Sequence, residues 1–396
     1  MKMIRKISEG VYNVGAIDWE RVIFDEIVST PQGTSYNSYL IFGEKKTAIV
    51  DTVEPEKAEQ LFANLEELGV EKIDYIVSNH AEQDHSGAIP LLLEKYPEAK
   101  IVTNAKCKGF EKDLLHIDDE KFMVIKEGDT LDLGGKTLKF VMTPWVHWPE
   151  TMSTFLLEDK IAFTCDFFGS HAATTHTFAE QYDRIYHEAK RYYAEIMMPF
   201  RQIIARNIKK IEEFSPKIIA PSHGPAYSDP KFIIDAYKEW ISPSTKNEVL
   251  ILYVSMHGST KRIVDALVDS LGEHGVEVKV RNLISSDMGE VAIDLVDITT
   301  LIIATPTMLA GPHPQAVYAA YLANALKPKV KLVGIIGSYG WGGRTVDILK
   351  ANLGALKVEL LDPLLIKGLP KEEDYEKIGE LAKKIAEKHK ELGVMK

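Results

Sequence analysis

Hydrophobic and polar positions along the chain follow two different rhythms. From Val11 to about Pro221, short β-rich runs dominate, among them Tyr39–Phe42, Thr47–Asp51, Tyr75–Ser78, Thr137–Met142, Ser153–Leu157 and Ile161–Thr164. Stretches with helical spacing separate them, as at Glu56–Leu68 and Glu180–Met198. This mixture predicts packed sheets with helices outside. From about Glu248 the chain alternates regularly between strand and helix. Val249–Val254, Val276–Val280, Thr300–Ala304 and Lys331–Ile336 are near-continuous apolar runs, the pattern of parallel strands buried on both faces. Arg262–Gly272 and Pro314–Ala325 carry the intervening helices, and Lys371–Leu392 reads as a closing amphipathic helix. The second half is therefore expected to be a doubly wound α/β domain. Ser242–Asn247, polar and broken by proline, is the expected linker, which divides the chain into 1–247 and 248–396.

Composition narrows the class. The chain has 396 residues, 45% hydrophobic and 27% charged, enough apolar material for two cores. Its net charge of −11 repels phosphate backbones and argues against a nucleic-acid enzyme. Cys107 and Cys165 are the only cysteines, so no disulfide framework or thiolate metal cluster is expected. No run approaches the roughly 20 apolar residues that span a bilayer. A cytoplasmic protein is the expectation.

The first half carries candidate metal chemistry. His80-Ala-Glu-Gln-Asp-His85 places four good ligands, His80, Glu82, Asp84 and His85, just after a buried run. In an extended loop His80, Glu82 and Asp84 would project from one side. The bland alternative is a solvated polar loop. His147, Asp166 and His223 also follow apolar runs or sit in their turns, making four histidines and three carboxylates at strand ends. That number suits two metals with three ligands each and one bridging carboxylate. Imidazole with carboxylate and no thiolate suits iron, manganese or zinc. Three carboxylates against two divalent ions leave one positive charge, which a bridging hydroxide neutralises; this mixed shell suits a redox iron pair.

The second half carries candidate flavin chemistry. Ser255-Met-His257-Gly258-Ser259-Thr260 joins a strand to a helix and offers hydroxyls, a glycine and free amides to a terminal phosphate. Taken alone, its Ser and Thr are also ordinary helix caps. Thr305-Pro306-Thr307-Met308-Leu309-Ala310-Gly311 and Ser338-Tyr339-Gly340-Trp341-Gly342-Gly343 follow later strands, at the strand ends where this fold binds ligands. Their glycines allow backbone to approach an isoalloxazine ring, and Trp341 or Tyr339 can stack on it. The three loops together point to FMN. A dinucleotide is disfavoured, because no Gly-x-Gly-x-x-Gly with a downstream acid follows the strand.

The His-x-Glu-x-Asp-His motif with His147, Asp166 and His223 resembles the metallo-β-lactamase fold, and its Glu82 form resembles the flavo-diiron proteins (A-type flavoproteins). The first flavin loop is similar to the flavodoxin phosphate loop. The resemblance covers essentially the whole chain. It implies an αββα metallo-β-lactamase-like sandwich followed by a flavodoxin-like sheet, with FMN and two non-haem irons. It also implies an oxidoreductase that reduces dioxygen to water or nitric oxide to nitrous oxide. By the same resemblance His80, Glu82 and His147 hold one iron, Asp84, His85 and His223 the other, and Asp166 bridges. His171 and Tyr193 fall where the family has polar groups near the irons and could donate protons or hydrogen bonds; for Tyr193 a packed core aromatic is the alternative. Asp25 stands where many relatives have His. The family's dimer is head-to-tail, so a homodimer or a tetramer of dimers is expected. The electron donor is expected to be a separate protein such as rubredoxin or a flavin reductase. Two rival readings remain: a zinc hydrolase with a regulatory flavodoxin half, and an FMN electron carrier with a structural metal site.

Overall fold

The computed structural model describes residues 3–395, and the chain divides into two compact units, 1–193 with 200–241 and 194–199 with 242–396.

In the first unit, seven strands run in the order Arg5–Ser8, Val11–Asn13, Tyr39–Phe42, Thr47–Val50, Tyr75–Val77, Lys100–Asn104 and Phe122–Ile125. Five more, Thr130–Asp132, Thr137–Met142, Met152–Leu156, Ile161–Cys165 and Ile218–Pro221, form a second sheet in sequence order. The inner faces of the two sheets supply one core, with Val11, Tyr39, Val50 and Val77 from the first against Leu138, Phe140, Met152 and Phe163 from the second. Alternation with period two is what gives each strand such a face. Amphipathic helices complete the layers. Ala58–Glu67 buries Leu61 and Leu65, and Ala105–Leu115, capped by the Asn104 side chain, packs on the strands at 100–104 and 122–125.

Parallel strands concentrate their C-terminal ends on one side. Thr47–Val50, Tyr75–Val77 and Lys100–Asn104 are mutually parallel, as are Ile161–Cys165 and Ile218–Pro221. Asp51, the segment 78–85, Asp166 and the segment 222–224 all follow these strand ends. The helix expected over Glu180–Met198 is shorter. It spans Tyr182–Tyr192, and the chain then passes through a π-helical turn at Tyr193–Met197.

The second unit has its five main strands in the order Glu277–Asn282, Lys246–Tyr253, Ile298–Met308, Leu332–Tyr339, Glu359–Leu360, all parallel. Numbered by sequence, that is 2-1-3-4-5, the flavodoxin-like order, with a switch point beside the first strand. The first strand begins at Lys246, inside the expected linker. The third runs on through Thr305–Met308, most of an expected loop, and turns into a short hairpin with Gly311–Pro312. The closing helix is Glu372–Glu391; it buries Ile378, Leu381 and Ile385 against helix Ser259–Glu273 of the same unit. No helix among the described residues is long and apolar enough to cross a membrane.

Candidate metal centre and flavin cradle

The segment 80–85 is not extended throughout. Glu82 is extended, but Gln83–Ser86 forms one helical turn, which swings Asp84 and His85 away from His80 and Glu82. The motif is thereby split between two clusters. In the first, the Nε2 atoms of His80 and His147 lie 3.1 and 2.9 Å from Glu82 Oε2. In the second, the Nε2 atoms of His85 and His223 each lie 3.1 Å from Asp84 Oδ2. Asp166 faces both. Its Oδ2 is 3.4 Å from His80 and 3.5 Å from His147, while its Oδ1 is 2.9 Å from His85 and 3.3 Å from His223. All seven expected ligands are thus brought together, with one Asp166 oxygen in each cluster.

The surroundings aim these atoms. His80 Nδ1 sits 2.6 Å from Glu150 Oε1, and His223 Nδ1 sits 2.7 Å from the Ser35 carbonyl. A proton on each Nδ1 satisfies those acceptors and leaves the Nε2 lone pair for a cation. Asp51 fixes the start of the loop by accepting from Asn79 N and Nδ2 at 2.8 and 2.9 Å. Gly224, after His223, has φ +78°, and a Cβ there would lie 2.1 Å from Ser170 Oγ. Only glycine turns the chain that closely at that point.

Does this donor set fit metal? Both Asp84 oxygens and Asp166 Oδ2 are buried without a hydrogen-bond partner, and three carboxylates converge on four imidazoles. In the metal-free chain the imidazoles of His80, His85 and His223 serve as counter-cations. Burial opposes charge on His223, but the Asp166 and Asp84 carboxylates beside it outweigh that and push its pKa up to about 10. His80 moves up in the same way, against burial, through Glu150 and Glu82. Asp166 stays well below the usual carboxylate range despite its burial, held there by His85 and His223. A cation replaces those protons on the same atoms, so the residues fit a metal pair. Access differs around the site: the Glu82 and His147 side chains are each 17% exposed, whereas Asp84, His85, Asp166 and His223 are buried.

Among the second-rank residues, His171 lies beside the second cluster. Its ring is 4.9 Å from that of His223, its Nδ1 is 2.8 Å from Thr34 Oγ1, and its Nε2 is buried without a partner. Burial, and then the charge of His223, drive its pKa well below the ordinary value, so it is a neutral imidazole. The expectation for Tyr193 is corrected. Tyr193 packs on Tyr237 and Trp240, its hydroxyl 3.4 Å from the Trp240 carbonyl, and Tyr192 is the residue that reaches the centre. Tyr192 Oη donates to Asp166 Oδ1 at 2.8 Å. One residue is a rotation of about 100° around a helix, enough to exchange the two rings. The spacing of the buried residues Ile185, Ala189 and Tyr192 is the signal that selects the correct one.

In the second unit, helix Ser259–Glu273 begins at Gly258, whose φ of +90° suits glycine and whose missing side chain leaves open space. As a glycine, that cap offers the first amides no side-chain acceptor; Ser255 Oγ accepts from Lys261 N at 3.2 Å. His257, Ser259, Thr260, Pro306, Thr307, Ser338, Tyr339 and Gly340 line a cavity of about 230 Å³ here, together with Met256 and Gly368, which sequence patterns missed. Thr260 and Ser338 hydroxyls meet at 2.9 Å across it. Free amides at a helix start, hydroxyls and an open glycine fit a phosphate-bearing flavin. Thr305 is buried and holds His313 N. Leu309 and Trp341 stand 87% and 65% exposed at the rims of their loops. Leu309 and Ala310 are both left-handed, and Met308, Leu309 and Gly311 face a separate groove. Gly343 packs under Ala310, while Gly342 has open space around it.

Fold and site together define a β-lactamase-like domain with a candidate metal centre, joined to a flavodoxin-like domain. Residues 34–224 match the ODP family beta lactamase model and residues 251–381 the flavodoxin model. The chain is 37% identical to a nitric oxide reductase of Moorella thermoacetica, over 96% of this chain and 97% of that one. Among solved structures it resembles rubredoxin oxygen:oxidoreductase from Desulfovibrio gigas, with a TM-score of 0.94 and 30% identity over 98% of this chain and 99% of that one. It also resembles the flavodiiron protein from Giardia intestinalis, with a TM-score of 0.91 and 29% identity over 98% of each. The chain belongs to the flavo-diiron protein family, whose members are oxidoreductases.

Proposed function

We propose that this protein uses FMN and a non-haem diiron centre to reduce dioxygen to water, nitric oxide to nitrous oxide, or both. The observation that carries this reading is Asp166, with one oxygen in each of two His–carboxylate clusters, in a chain that also holds a flavodoxin-like cradle. Cluster geometry favours His80, Glu82 and His147 for one iron and Asp84, His85 and His223 for the other. When bound, FMN accepts an electron pair from a donor and passes electrons singly, and the iron pair accepts them and binds the gas.

The protein's own residues supply position and protons. Glu150 and the Ser35 carbonyl hold His80 and His223 in the tautomer that presents Nε2. Tyr192 fixes the Asp166 carboxylate from the side. His171, neutral and with a free Nε2 in the buried wall, offers a hydrogen bond or accepts one. At the mouth, burial and then the charges of Glu82 and Asp84 push the Asp25 carboxyl up to about 6 in the metal-free chain, where it can give and regain a proton near neutrality.

A head-to-tail homodimer, alone or paired into a tetramer, is supported by apolar rims at both sites. Val22, Ile23 and Ile27 are exposed on the hairpin that carries Asp25, as are Leu309 and Trp341 on the flavin loops. Electrons would arrive from a separate donor such as rubredoxin or a flavin reductase. The domain limits 1–247 and 248–396 accompany this reading, shifted so that strand Lys246–Tyr253 falls whole in the second domain.

The test is anaerobic photoreduction followed by parallel mixing with dioxygen and with nitric oxide, against a sample stripped of iron. Iron-dependent dioxygen loss without peroxide, or iron-dependent nitrous oxide formation, is the expected result. Reoxidation that is independent of iron and releases peroxide, with no nitric oxide consumed, would return the protein to the carrier or hydrolase readings.

A further inference from the structure

His223 sits in a turn fastened by a side chain that the chemistry so far leaves out. Asn37 is fully buried in the link between strands Thr34–Tyr36 and Tyr39–Phe42. Its Nδ2 donates to the Pro221 carbonyl at 2.8 Å and to the Gly224 carbonyl at 2.7 Å. Its backbone N–H donates to the Ser222 carbonyl between them, also at 2.8 Å. The chain on both sides of His223 is therefore tied to one residue. Ser35, two positions earlier, adds two more ties: its carbonyl takes His223 Nδ1 at 2.7 Å and its Oγ takes Gly224 N at 2.8 Å. Segment 35–37 thus holds the ring at one end and the backbone at the other.

What faces the other end of the amide fixes its orientation. Asn37 Oδ1 accepts from Asn13 Nδ2 at 2.9 Å and from the Arg5 guanidinium at 3.2 Å, and both partners are buried. Asn13 is itself oriented, because its Oδ1 accepts from Gly15 N at 2.9 Å. Both donors and both acceptor positions of the Asn37 amide are in use, and turning it over would set donor against donor. Strand pairing builds this arrangement. Arg5 lies opposite Asn13 and Asn13 opposite Tyr39 on three neighbouring strands, so the three side chains form a row. Tyr39 Oη, at the end of the row, also donates to the Pro221 carbonyl, at 2.6 Å. A buried cation at the acceptor end of the amide polarises it and strengthens its N–H donors.

We propose that Asn37 is the positioning residue for His223, and that Arg5 and Asn13 keep its amide in the orientation this requires. The inference rests on the diiron reading above. Asn37 acts through the backbone of the turn. By holding the carbonyls before and after His223 it fixes where the imidazole leaves the chain, and so keeps Nε2 3.1 Å from Asp84 Oδ2 and 3.3 Å from Asp166 Oδ1. Remove its two donors and the Pro221 carbonyl keeps Tyr39, while the Gly224 carbonyl loses its bond to Asn37. The turn is then released on the side that follows His223, and the ligand atom moves with it. The first strand of the chain, through Arg5, thereby takes part in setting a metal position.

The experiment uses Asn37→Asp in the full-length protein. This variant keeps the shape of the side chain and an acceptor for Arg5 and Asn13, but it turns both donors into an acceptor that the two carbonyls repel. Two readings decide. In anaerobic chelator competition the affinity for ferrous iron should fall about 10–100-fold, the range for residues that orient a metal ligand from behind. In the metal-free protein labelled with nitrogen-15 histidine, the Nδ1–H resonance of His223, on the Ser35 carbonyl, should shift. That of His80, on Glu150, should stay, which makes it the internal control for a general loosening of the fold. Wild-type iron affinity in the folded variant overturns the proposal, and so does a His80 shift as large as that of His223. If Asn37→Asp does not fold, Arg5→Met takes its place under the same two criteria, with a smaller effect expected because both Asn37 donors remain. Wild-type protein that binds no iron would sink the diiron reading instead, and the resonances of the metal-free protein would still show whether Asn37 sets the His223 ring.

Discussion

Tyr192→Phe removes one oxygen atom from a fully buried site and leaves the ring in place. The bond lost is the 2.8 Å donation to Asp166 Oδ1. A hydrogen bond to a charged acceptor contributes about 1.5–3 kcal/mol. Asp166 Oδ1 is not orphaned, since His85 Nε2 remains at 2.9 Å and His223 Nε2 at 3.3 Å in the metal-free chain. The lower end, about 1.5 kcal/mol, is therefore expected, roughly a tenfold change in an equilibrium constant. For a domain of this size that corresponds to a fall of about 3–6 °C in the melting temperature of the metal-free protein. In the loaded protein the affinity for metal should fall at least about tenfold, as for other residues that orient a ligand from behind. Tyr193→Phe is the matched control. Its hydroxyl makes a longer contact, 3.4 Å to a neutral carbonyl, so about 0.5 kcal/mol or less is expected and metal affinity should not change. Thermal melts and chelator competition on both variants measure the difference. Equal losses in the two variants, or an effect confined to Tyr193→Phe, would refute the assignment of Tyr192 to the bridging carboxylate.

Asp166→Ala removes an oxygen from each cluster and should abolish binding of both metals; a variant that retains two irons and full turnover would show the ligand set to be wrong. The metal-free protein should lose stability as pH rises from about 6.5 toward 10. The reason is that the folded His223 pKa, about 10, lies above its unfolded value, so its contribution is complete below the unfolded pKa and is lost on passing the folded one. Asp166, depressed in the fold, adds a loss on the acid side, as pH falls below about 4. Bound metal occupies Nε2 without a proton, so melts of the loaded protein should not show the alkaline loss, and a flat alkaline profile for the metal-free form would contradict this. Gly258→Ala places a side chain at φ +90° in open space, so it should cost about 1 kcal/mol through the backbone alone and weaken FMN binding, read by flavin fluorescence.

Much of this architecture is legible in the sequence because it is written locally. The apolar runs at 249–254 and 300–304 mark parallel strands, and the seven ligands each follow or flank such a run. What escapes is set by rotation and by distant packing. A helical turn at 83–86 splits the ligand motif in a way no alternation pattern shows. Tyr192 and Tyr193 differ only by a rotation about a helix axis. Glu150 is an ordinary acid three residues beyond His147 until the fold brings His80 Nδ1 to it from 70 positions away. Glu111 looks like a surface helix residue, in a segment rich in Lys and Asp, and only the packing of that helix against its strands buries it.

One carboxylate that serves two clusters also governs how the centre fills. An ion entering either cluster must draw Asp166 out of its bonds with the histidine protons and set both of its oxygens, so the first ion prepares the second position as well as its own. Loading should therefore be cooperative. With less than a full complement of iron, the population would consist chiefly of complete and empty centres, and total iron would count the working molecules directly.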